Sequence, residues 1–206
     1  IRGRGLCVFS PFLLERRTML TTQTELDAIN QMLSAIGSDP VTILEESTDI
    51  DVINARRLLK EVSRQVQRQG WDFNKTTRTY TPDVNTHRIA WDDTIIALKS
   101  KDNNVYVKRG NYLFNMTEDT YSFKEPVEVE VIYGVEFDDL PDCFKEYVTA
   151  KAAIDFQARY FSDASVSQDL QYALQIAYQD IVQYDMDMQD VNILNLTGVS
   201  EVLQRT

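Results

Sequence analysis

The chain has 206 residues, and its composition already excludes several classes of protein. It carries 32 acidic against 21 basic side chains, for a net charge of −11, and 43% of its residues are hydrophobic. This length and hydrophobic content suffice for a core in one domain or two small ones. The negative charge argues against a protein that grips nucleic acid by its phosphates, since such binding needs lysine and arginine.

The scarcity of cysteine and histidine excludes further classes. Cys7 and Cys143 are the two cysteines, and His87 is the single histidine. Two cysteines cannot build a disulfide framework, and no CxxC or Cys/His ligand spacing occurs. A site with several histidine ligands is impossible, and we interpret His87 as an ordinary polar or packing residue. No apolar run reaches the ~20 residues of a membrane-spanning helix, so no membrane partner is expected.

Residues 1–18 differ in charge from the rest of the chain. Four arginines and one glutamate give them a net charge of +3, which leaves −14 for the other 188 residues. Their apolar stretch resembles the hydrophobic part of a signal peptide. However, Pro11 interrupts it, charged residues follow at 15–17, and no small-x-small cleavage site is present. We therefore interpret residues 1–18 as a non-native or upstream-translated extension that is poorly ordered, with the natural start at Met19.

Residues 19–70 show the pattern of two helices. Thr22 and Glu25 have the spacing of a capping box, which would start a helix that Gly37 ends in a left-handed turn. Asp49 is placed to cap a second, longer helix. Apolar residues follow at helical spacing: Leu26, Ile29, Leu33 and Ile36 in the first helix, and Val52, Ala55, Leu59, Val62 and Val66 in the second.

Residues 71–135 change to a β pattern. Short runs of β-branched and aromatic residues alternate with turn signals, and 105–114 reads as a β-hairpin. In Val127–Tyr133 valines alternate with glutamates, which predicts one buried and one polar face. Because no helix separates consecutive strands, we expect a small antiparallel sheet or sandwich. The predicted strands are 76–81, 94–98, 105–108, 112–114 and 127–133.

Helical periodicity returns at 136–190. Asp139 and the early Pro141 suit a helix start, and Ser165–Gln168 repeats the capping-box spacing. Apolar residues follow at helical spacing: Phe144, Tyr147, Val148, Ala150, Ile154, Ala158 and Phe161, then Val166, Leu170, Leu174, Ala177, Ile181 and Tyr184. The sequence thus predicts an α+β fold, in which 19–70 and 136–190 form an antiparallel bundle of about four helices with an inserted β domain at 71–135.

The C-terminal segment is more apolar than a free tail. Residues 187–206 carry mixed signals, and Gly198 breaks any long helix. Exposed apolar side chains usually dock onto another surface, so we expect 191–206 to be a docking tail against a neighbouring subunit or a partner protein. Its candidate interface residues are Val191, Leu194, Leu196, Val199, Val202 and Leu203.

The sequence offers few candidate residues for catalysis or for binding a metal or phosphate. A glycoside hydrolase needs two carboxyl groups that face each other across a cleft at ~5–10 Å, one of them with a raised pKa. Carboxyl groups adjacent in sequence point in different directions, so adjacency is no sign of such a pair. The pairs considered are Asp92 with Asp93, Asp138 with Asp139, and Glu128 with Glu130. No phosphate-binding glycine loop occurs, and the acidic run 185–190 lacks the glycine and glutamate of an EF-hand. We assign no catalytic residue, metal site or cofactor.

Charge is segregated along the chain. Residues 136–190 hold twelve acidic and three basic side chains, for a net charge of −9, whereas five basic residues crowd into 56–68. A basic second helix and an acidic C-terminal pair of helices can neutralise each other within a bundle or between copies in an oligomer. The segregation therefore points towards assembly.

Six short segments carry a resemblance through their combined order and spacing. They are ELDAINQMLSAIG at 25–37, DVINARRLL at 51–59, RQGWDFN at 68–74, NVYVKRGNY at 104–112, LPDCF at 140–144 and FQARYF at 156–161. Over about residues 22–190, the chain resembles the tail tubular protein A family of short-tailed double-stranded-DNA phages. Start sites in that family lie close to Met19, so residues 1–18 fall outside the resemblance.

The resemblance implies a structural virion protein, a head-to-tail adaptor also called connector or gatekeeper. Such a protein forms a dodecameric ring between the portal protein and the tail nozzle, tail tubular protein B, and the ring helps attach the tail fibres. Double-stranded DNA passes through the ring on ejection without being held, and the isolated subunit can be monomeric. The expected location is the virion tail, after assembly in the host cytoplasm.

Three sets of candidate contact residues accompany this interpretation. The docking tail would meet the portal or a neighbouring subunit. Loop residues would meet the nozzle or fibre; these are Asn103, Asn104, Arg109 and Asn111. Acidic residues would face the channel, where carboxylates repel DNA phosphates weakly and give no fixed binding register. These acids are Asp180, Asp185, Asp187 and Asp190.

Two other functions stay open at this point. A tail-associated glycan hydrolase would lose its activity on mutation of one carboxylate pair. An acidic DNA-mimic or regulatory binding module would be a small monomer that binds a basic protein.

Overall fold

A computed structural model describes residues 22–45, 48–160 and 164–194, and the side chains of 164–169 and 190–194 lie outside the description. Within these ranges, four α-helices form a bundle and five strands form two small antiparallel sheets, which confirms the α+β class. None of the helices in the described ranges is both long and apolar enough to span a membrane.

The helical bundle is built from two separate stretches of chain. Its elements are α1 (Glu25–Ser34), α2 (Ile50–Gln67), a short 3-10 helix (Phe137–Asp139), α3 (Asp142–Tyr160) and α4 (Ala164–Leu194). α3 is the central helix, because it packs against each of the other three. The fully buried core residues include Ile29, Met32, Leu33, Leu59, Val62, Val66, Phe144, Val148, Phe156 and Ile181.

α1 begins two residues later than the capping-box pattern predicts. Thr24 is the N-cap: its hydroxyl accepts a hydrogen bond from the Asp27 amide at 3.2 Å, and the Asp27 carboxylate accepts one from the Thr24 amide at 3.1 Å. The prediction of Thr22 with Glu25 as the capping pair is wrong. The Glu25 carboxylate instead accepts from the Arg56 guanidinium of α2 at 3.0 Å, so it is not available to cap.

Two other predicted helix boundaries are confirmed. Gly37 has a φ of +75° just after α1, in the left-handed region where glycine is unstrained. Asp49 caps α2, since its carboxylate accepts from the Asp51 amide at 2.9 Å.

α4 is longer at both ends than the sequence pattern predicts. It begins at Ala164, so Ser165 lies inside the first turn and is not the N-cap. It also continues through 187–194, where the sequence signals are mixed and the bundle was expected to end at 190. Side-chain hydrogen bonds one turn apart support this extension, from Gln183 to Asp187 at 2.7 Å and from Gln189 to Asp185 at 3.0 Å.

The β domain contains both the predicted hairpin and the predicted alternating strand. The strands are β1 (Lys75–Tyr80), β2 (Ile95–Ser100), β3 (Tyr106–Arg109), β4 (Tyr112–Asn115) and β5 (Val127–Tyr133). β5 lies between β1 and β2, while β3 and β4 form the hairpin. Val127, Val129 and Val131 are buried, as the alternation predicts, because this face of β5 packs in the core of the β domain with residues such as Leu113 and Phe123.

Buried polar side chains connect the bundle to the β domain where the chain crosses between them, at 70–74 and 133–136. The Asn74 side-chain amide donates to the carbonyls of Gln67 and Tyr133, each at 3.0 Å, and its oxygen accepts from the Trp71 amide at 3.0 Å. The Gln67 side chain holds the second crossing, with bonds of 2.7 and 2.9 Å to the amide and carbonyl of Val135. Both crossings are therefore fixed to the end of α2.

Gly70 shows how closely the two parts pack at this junction. It follows α2 with a φ of +79°, and a Cβ at this position would lie 2.7 Å from Cδ1 of Ile132 on β5. The backbone conformation therefore favours glycine, and any other residue here would also have to displace the end of the Ile132 side chain.

Replacing Gln67 with methionine is expected to lower the free energy of unfolding by about 2–4 kcal/mol, because it leaves the Val135 amide and carbonyl without their side-chain partner. Urea denaturation followed by circular dichroism measures the change. Gln65→Met, at an exposed position of the same helix, is the matched control and should shift stability by no more than about 0.5 kcal/mol. Equal stabilities of the two variants would show that the Gln67 bonds do not hold the junction.

Candidate interaction surfaces

A groove between α1, α3 and α4, here named the acidic groove, is lined by carboxylates and small apolar residues. Its volume is about 790 Å³. The acids along it are Asp27, Asp142, Glu146 and Asp180, and the apolar residues are Ala150, Ala173, Ile176 and Ala177. None of the described residues that line the groove is basic. The groove therefore offers a negative rim with apolar surface beside it.

One lysine lies close to the acidic groove but within the protein. The Lys145 side chain is 4% exposed, and its Nζ lies 3.8 Å from the Asp142 carboxylate, which is 63% exposed. The lysine is therefore buried and offsets part of the charge of Asp142, whereas no ion pair is formed by Asp27, Glu146 or Asp180 in the described part of the chain.

The four predicted channel acids do not share one face of α4. Asp180 and Asp187 are exposed and seven residues apart, which places them on the same side of the helix. Asp185 lies roughly 200° around the helix from Asp187 and is half-buried. Its carboxylate accepts from the Asp72 amide at 2.9 Å, so it connects α4 to the first crossing. Asp190 belongs to α4, but its side chain lies outside the description.

The outer face of α2, here named the basic stripe, is exposed along the whole helix. Arg57, Lys60, Arg64 and Arg68 are exposed and follow one another at spacings of three or four residues, so they form one line. Within the described ranges, none of these four forms an ion pair. Arg56, one turn before Lys60 at the edge of the stripe, pairs with Glu25. The basic helix and the acidic helices are thus not paired inside the described bundle.

The β domain presents a cluster of arginine and aromatic side chains, here named the arginine–tyrosine cluster. The Arg88 guanidinium lies over the rings of Tyr112 and Tyr121, at 5.3 and 5.5 Å from their centroids. The Arg109 guanidinium lies 3.8 Å from the centroid of the Phe114 ring. The Phe114 ring in turn contacts the Tyr121 ring, with 4.7 Å between their centroids. Tyr112 and Tyr121 remain 39% and 36% exposed, which is the kind of surface that protein partners use as an anchor.

The predicted nozzle or fibre residues lie in two separate places, at opposite ends of β3. Arg109 and Asn111 lie at the β3–β4 turn, where the Asn111 carbonyl accepts from the Trp91 amide at 2.9 Å. Asn103 and Asn104 precede the other end of β3, roughly 16 Å from Arg109 at an extended rise per residue. One small contact cannot therefore include both sets.

The turn at Asn103 and Asn104 is held by Asp102. Burial favours a higher pKa for its carboxyl, but hydrogen bonds from Ser100, Tyr106 and Asn104 outweigh it and lower the pKa well below the usual range. Burial, together with the bond to Asp102, raises the pKa of Tyr106 to about 12. The Asn104 side chain is engaged in this turn, whereas Asn103 is exposed. Asn103 is thus the freer of the two for an external contact.

Three of the carboxylates considered for glycan hydrolysis, Asp92, Asp93 and Glu128, have structural partners. Asp92 borders a cleft of about 500 Å³ between α2 and the β domain, but hydrogen bonds from Thr94 lower its pKa, the opposite of what a general acid needs. Asp93 pairs with Lys108 at 2.6 Å, and Glu128 pairs with Lys101 at 2.9 Å. These contacts give hydrolysis no support.

The candidate docking-tail residues fall at or beyond the end of the described chain. Val191 and Leu194 lie in the last turn of α4, and their side chains are outside the description. Leu196, Val199, Val202 and Leu203 lie outside the described residues altogether.

Several surface residues were missed at the level of sequence. Arg88 is 24 residues before Tyr112 along the chain, although it lies over the Tyr112 ring. Asp27 and Glu146 come from different helices of the acidic groove. Tyrosine close to arginine in space indicates an interface, but the sequence alone does not show which residues are close in space.

Comparison with known proteins covers both the bundle and the β domain. The sequence model of the family described as Tail tubular protein matches residues 26–191. Tail tubular protein A of Klebsiella phage KP34 is 29% identical over 119 residues, which are 57% of this chain and 63% of that protein. The aligned region thus spans less than two thirds of that relative. Because the family match extends from α1 almost to the end of α4, the chain belongs to the tail tubular protein family and is a structural component of the phage tail.

Proposed function

We propose that the chain is a head-to-tail adaptor that forms a dodecameric ring between the portal and the tail nozzle. The observation that carries the proposal is the family match over 26–191, which includes the bundle, the β domain and both crossings. The junction at Gln67 and Asn74 supports a rigid two-part subunit, since it fixes one part relative to the other. Such a subunit suits an adaptor, because it can present one end to each neighbour in the virion.

The decisive experiment is a mass measurement of the purified chain mixed with the portal protein of the same phage. The expected result is a complex that contains a ring of this chain on the portal, whether or not the free chain is monomeric. Absence of any complex at micromolar concentrations would contradict the adaptor role. Assembly in the host cytoplasm belongs to the same proposal, and so do the nozzle and the fibre as partners.

Within this ring, we assign Asp187 and Asp190 to the DNA channel. Asp187 is exposed on α4, whereas Asp185 is bonded to Asp72 and Asp180 borders the acidic groove. Carboxylates near passing phosphates repel them weakly and prevent a fixed binding register, which lets DNA slide. A structure of the assembled ring with Asp187 on the outer surface would refute this assignment.

The arginine–tyrosine cluster is the proposed contact with the nozzle or fibre. Arginine and tyrosine dominate interface energies, and this cluster includes Arg109 of the predicted loop set beside Asn111. Arg88→Ala combined with Tyr121→Ala should leave the fold intact, because each cation–π contact contributes only about 0.5–1 kcal/mol at exposed sites. Attachment of the nozzle to the portal–adaptor complex should fall by about tenfold or more, as measured by co-sedimentation.

A variant at the other end of β3 is the matched control for this prediction. Asn103→Ala changes an exposed residue of the second loop set and should leave nozzle attachment unchanged. If Asn103→Ala reduces attachment and the double variant does not, the contact lies at the Asn103 end and the cluster assignment is wrong.

A further inference from the structure

We propose that the basic stripe of one subunit docks into the acidic groove of a second copy of the chain. The inference deepens the proposed ring, and it rests on that proposed function. It specifies which two surfaces form the contact between neighbouring subunits.

The two surfaces are complementary in charge. The stripe presents Arg57, Lys60, Arg64 and Arg68 without ion-pair partners in the described part of the chain, and one acid of α2, Glu61, lies among them. The groove is lined by four carboxylates and no described base. Opposite potentials on two surfaces steer their encounter and select the register of docking.

The surfaces are also complementary in apolar character. Ile50 and Ile53, on the same line as the stripe at the start of α2, are 72% and 53% exposed. Ile176 in the groove is 44% exposed, and Tyr172, one turn before it on α4, is 69% exposed. Large apolar side chains left open on both surfaces indicate that each is covered in the assembled state.

The two surfaces lie on different sides of the bundle. α2 packs against α1 and α3, and no α2 residue lines the acidic groove, which α1, α3 and α4 form. The basic stripe of a subunit therefore cannot contact the acidic groove of the same subunit. Two different complementary surfaces on one subunit produce a head-to-tail contact, which generates a closed ring when the rotation between subunits closes.

Lys60 and Arg64 also border the cleft between α2 and the β domain. Their charge is partly offset within the subunit by the acids that line this cleft: Glu25, Asp92, Asp93, Glu136 and Asp138. Arg57 and Arg68 do not line that cleft and are the better positions for a test. On the groove side, Glu146 and Asp180 are exposed and take no part in capping a helix.

The test reverses the charge of each surface separately and then of both together. The stripe variant is R57E/R68E, the groove variant is E146K/D180K, and the combined variant carries all four changes. K99E/K124E, at exposed bases of the β domain, changes the net charge as much as the stripe variant does and is the control. Thermal unfolding verifies that each variant is folded. The readout is the number of copies bound to the purified portal protein, from native mass measurement over a range of salt concentrations.

The expected result is a full ring for the wild type and the control, with assembly about tenfold weaker or worse for each single-surface variant. The combined variant should recover ring assembly, and so should an equimolar mixture of the two single-surface variants, because opposite charges meet again. Assembly of the wild type should weaken as salt increases.

Two outcomes would overturn the inference and are distinguishable from each other. Full rings from both single-surface variants, or no recovery in the combined variant, would refute this interface while leaving the adaptor role intact. Failure of the wild type itself to bind the portal would refute the adaptor role and the interface together.

Discussion

Replacing Phe144 with alanine is expected to lower the free energy of unfolding by about 3–5 kcal/mol, the loss typical of a large aromatic residue removed from a well-packed core. Phe144 is 0% exposed. Its ring contacts Trp71 at 5.1 Å and Phe73 at 4.6 Å between centroids, and it also contacts Tyr184 of α4 at 5.9 Å. The substitution therefore opens a cavity where the first crossing, α3 and α4 meet.

Urea denaturation followed by circular dichroism measures this loss. Tyr172→Ala on α4 is the control, because Tyr172 is 69% exposed, and it should change stability by no more than about 0.5 kcal/mol. Phe144→Leu keeps most of the buried volume and should fall between the wild type and Phe144→Ala. A loss below about 1 kcal/mol for Phe144→Ala would show that the three elements do not depend on this ring.

Ending the chain after Met186 is expected to weaken binding to the portal by about tenfold or more while leaving the subunit folded. The truncation removes the last turns of α4 and all six candidate docking residues. It keeps the ring contact between Tyr184 and Phe144 and the hydrogen bond from the Asp72 amide to Asp185. These two contacts hold α4 in place. The lost side-chain bonds near Asp187 contribute only about 0.2–0.5 kcal/mol each.

Co-sedimentation with purified portal and thermal unfolding of the free chain together decide this prediction. A full-length variant tests whether portal binding needs the apolar side chains and not only the length of the chain. In it, serine replaces Leu196, Val199, Val202 and Leu203, and it should lose portal binding as the truncated chain does. Normal portal binding by the truncated chain would refute the docking-tail assignment.

Local sequence signals succeeded where one element alone determines the outcome. The valine–glutamate alternation of β5 required only that one face of a strand be buried, and Asp49 and Gly37 act within a single turn of their helices. The capping pair of α1 was misassigned because Glu25 is engaged by Arg56, 31 residues away. No local pattern contains that contact.

Helical periodicity was least informative for α3. The predicted stripe includes Ala158, which is exposed, and omits Phe156, which is fully buried. A helix at the centre of a bundle packs on several sides, so its buried residues no longer follow one line.

The sequence by itself determined the α+β class, the division into helical and β stretches, the segregation of charge and the resemblance to tail tubular proteins. These follow from period, composition and local order, which need no knowledge of distant contacts. Only the tertiary structure decided which acids share a surface. It separated Asp185 from Asp187, brought Asp27, Glu146 and Asp180 together in the acidic groove, and placed the basic stripe outside that groove. The physical reason is that packing around α3 sets which faces remain exposed, and charge along a chain does not specify its arrangement in space.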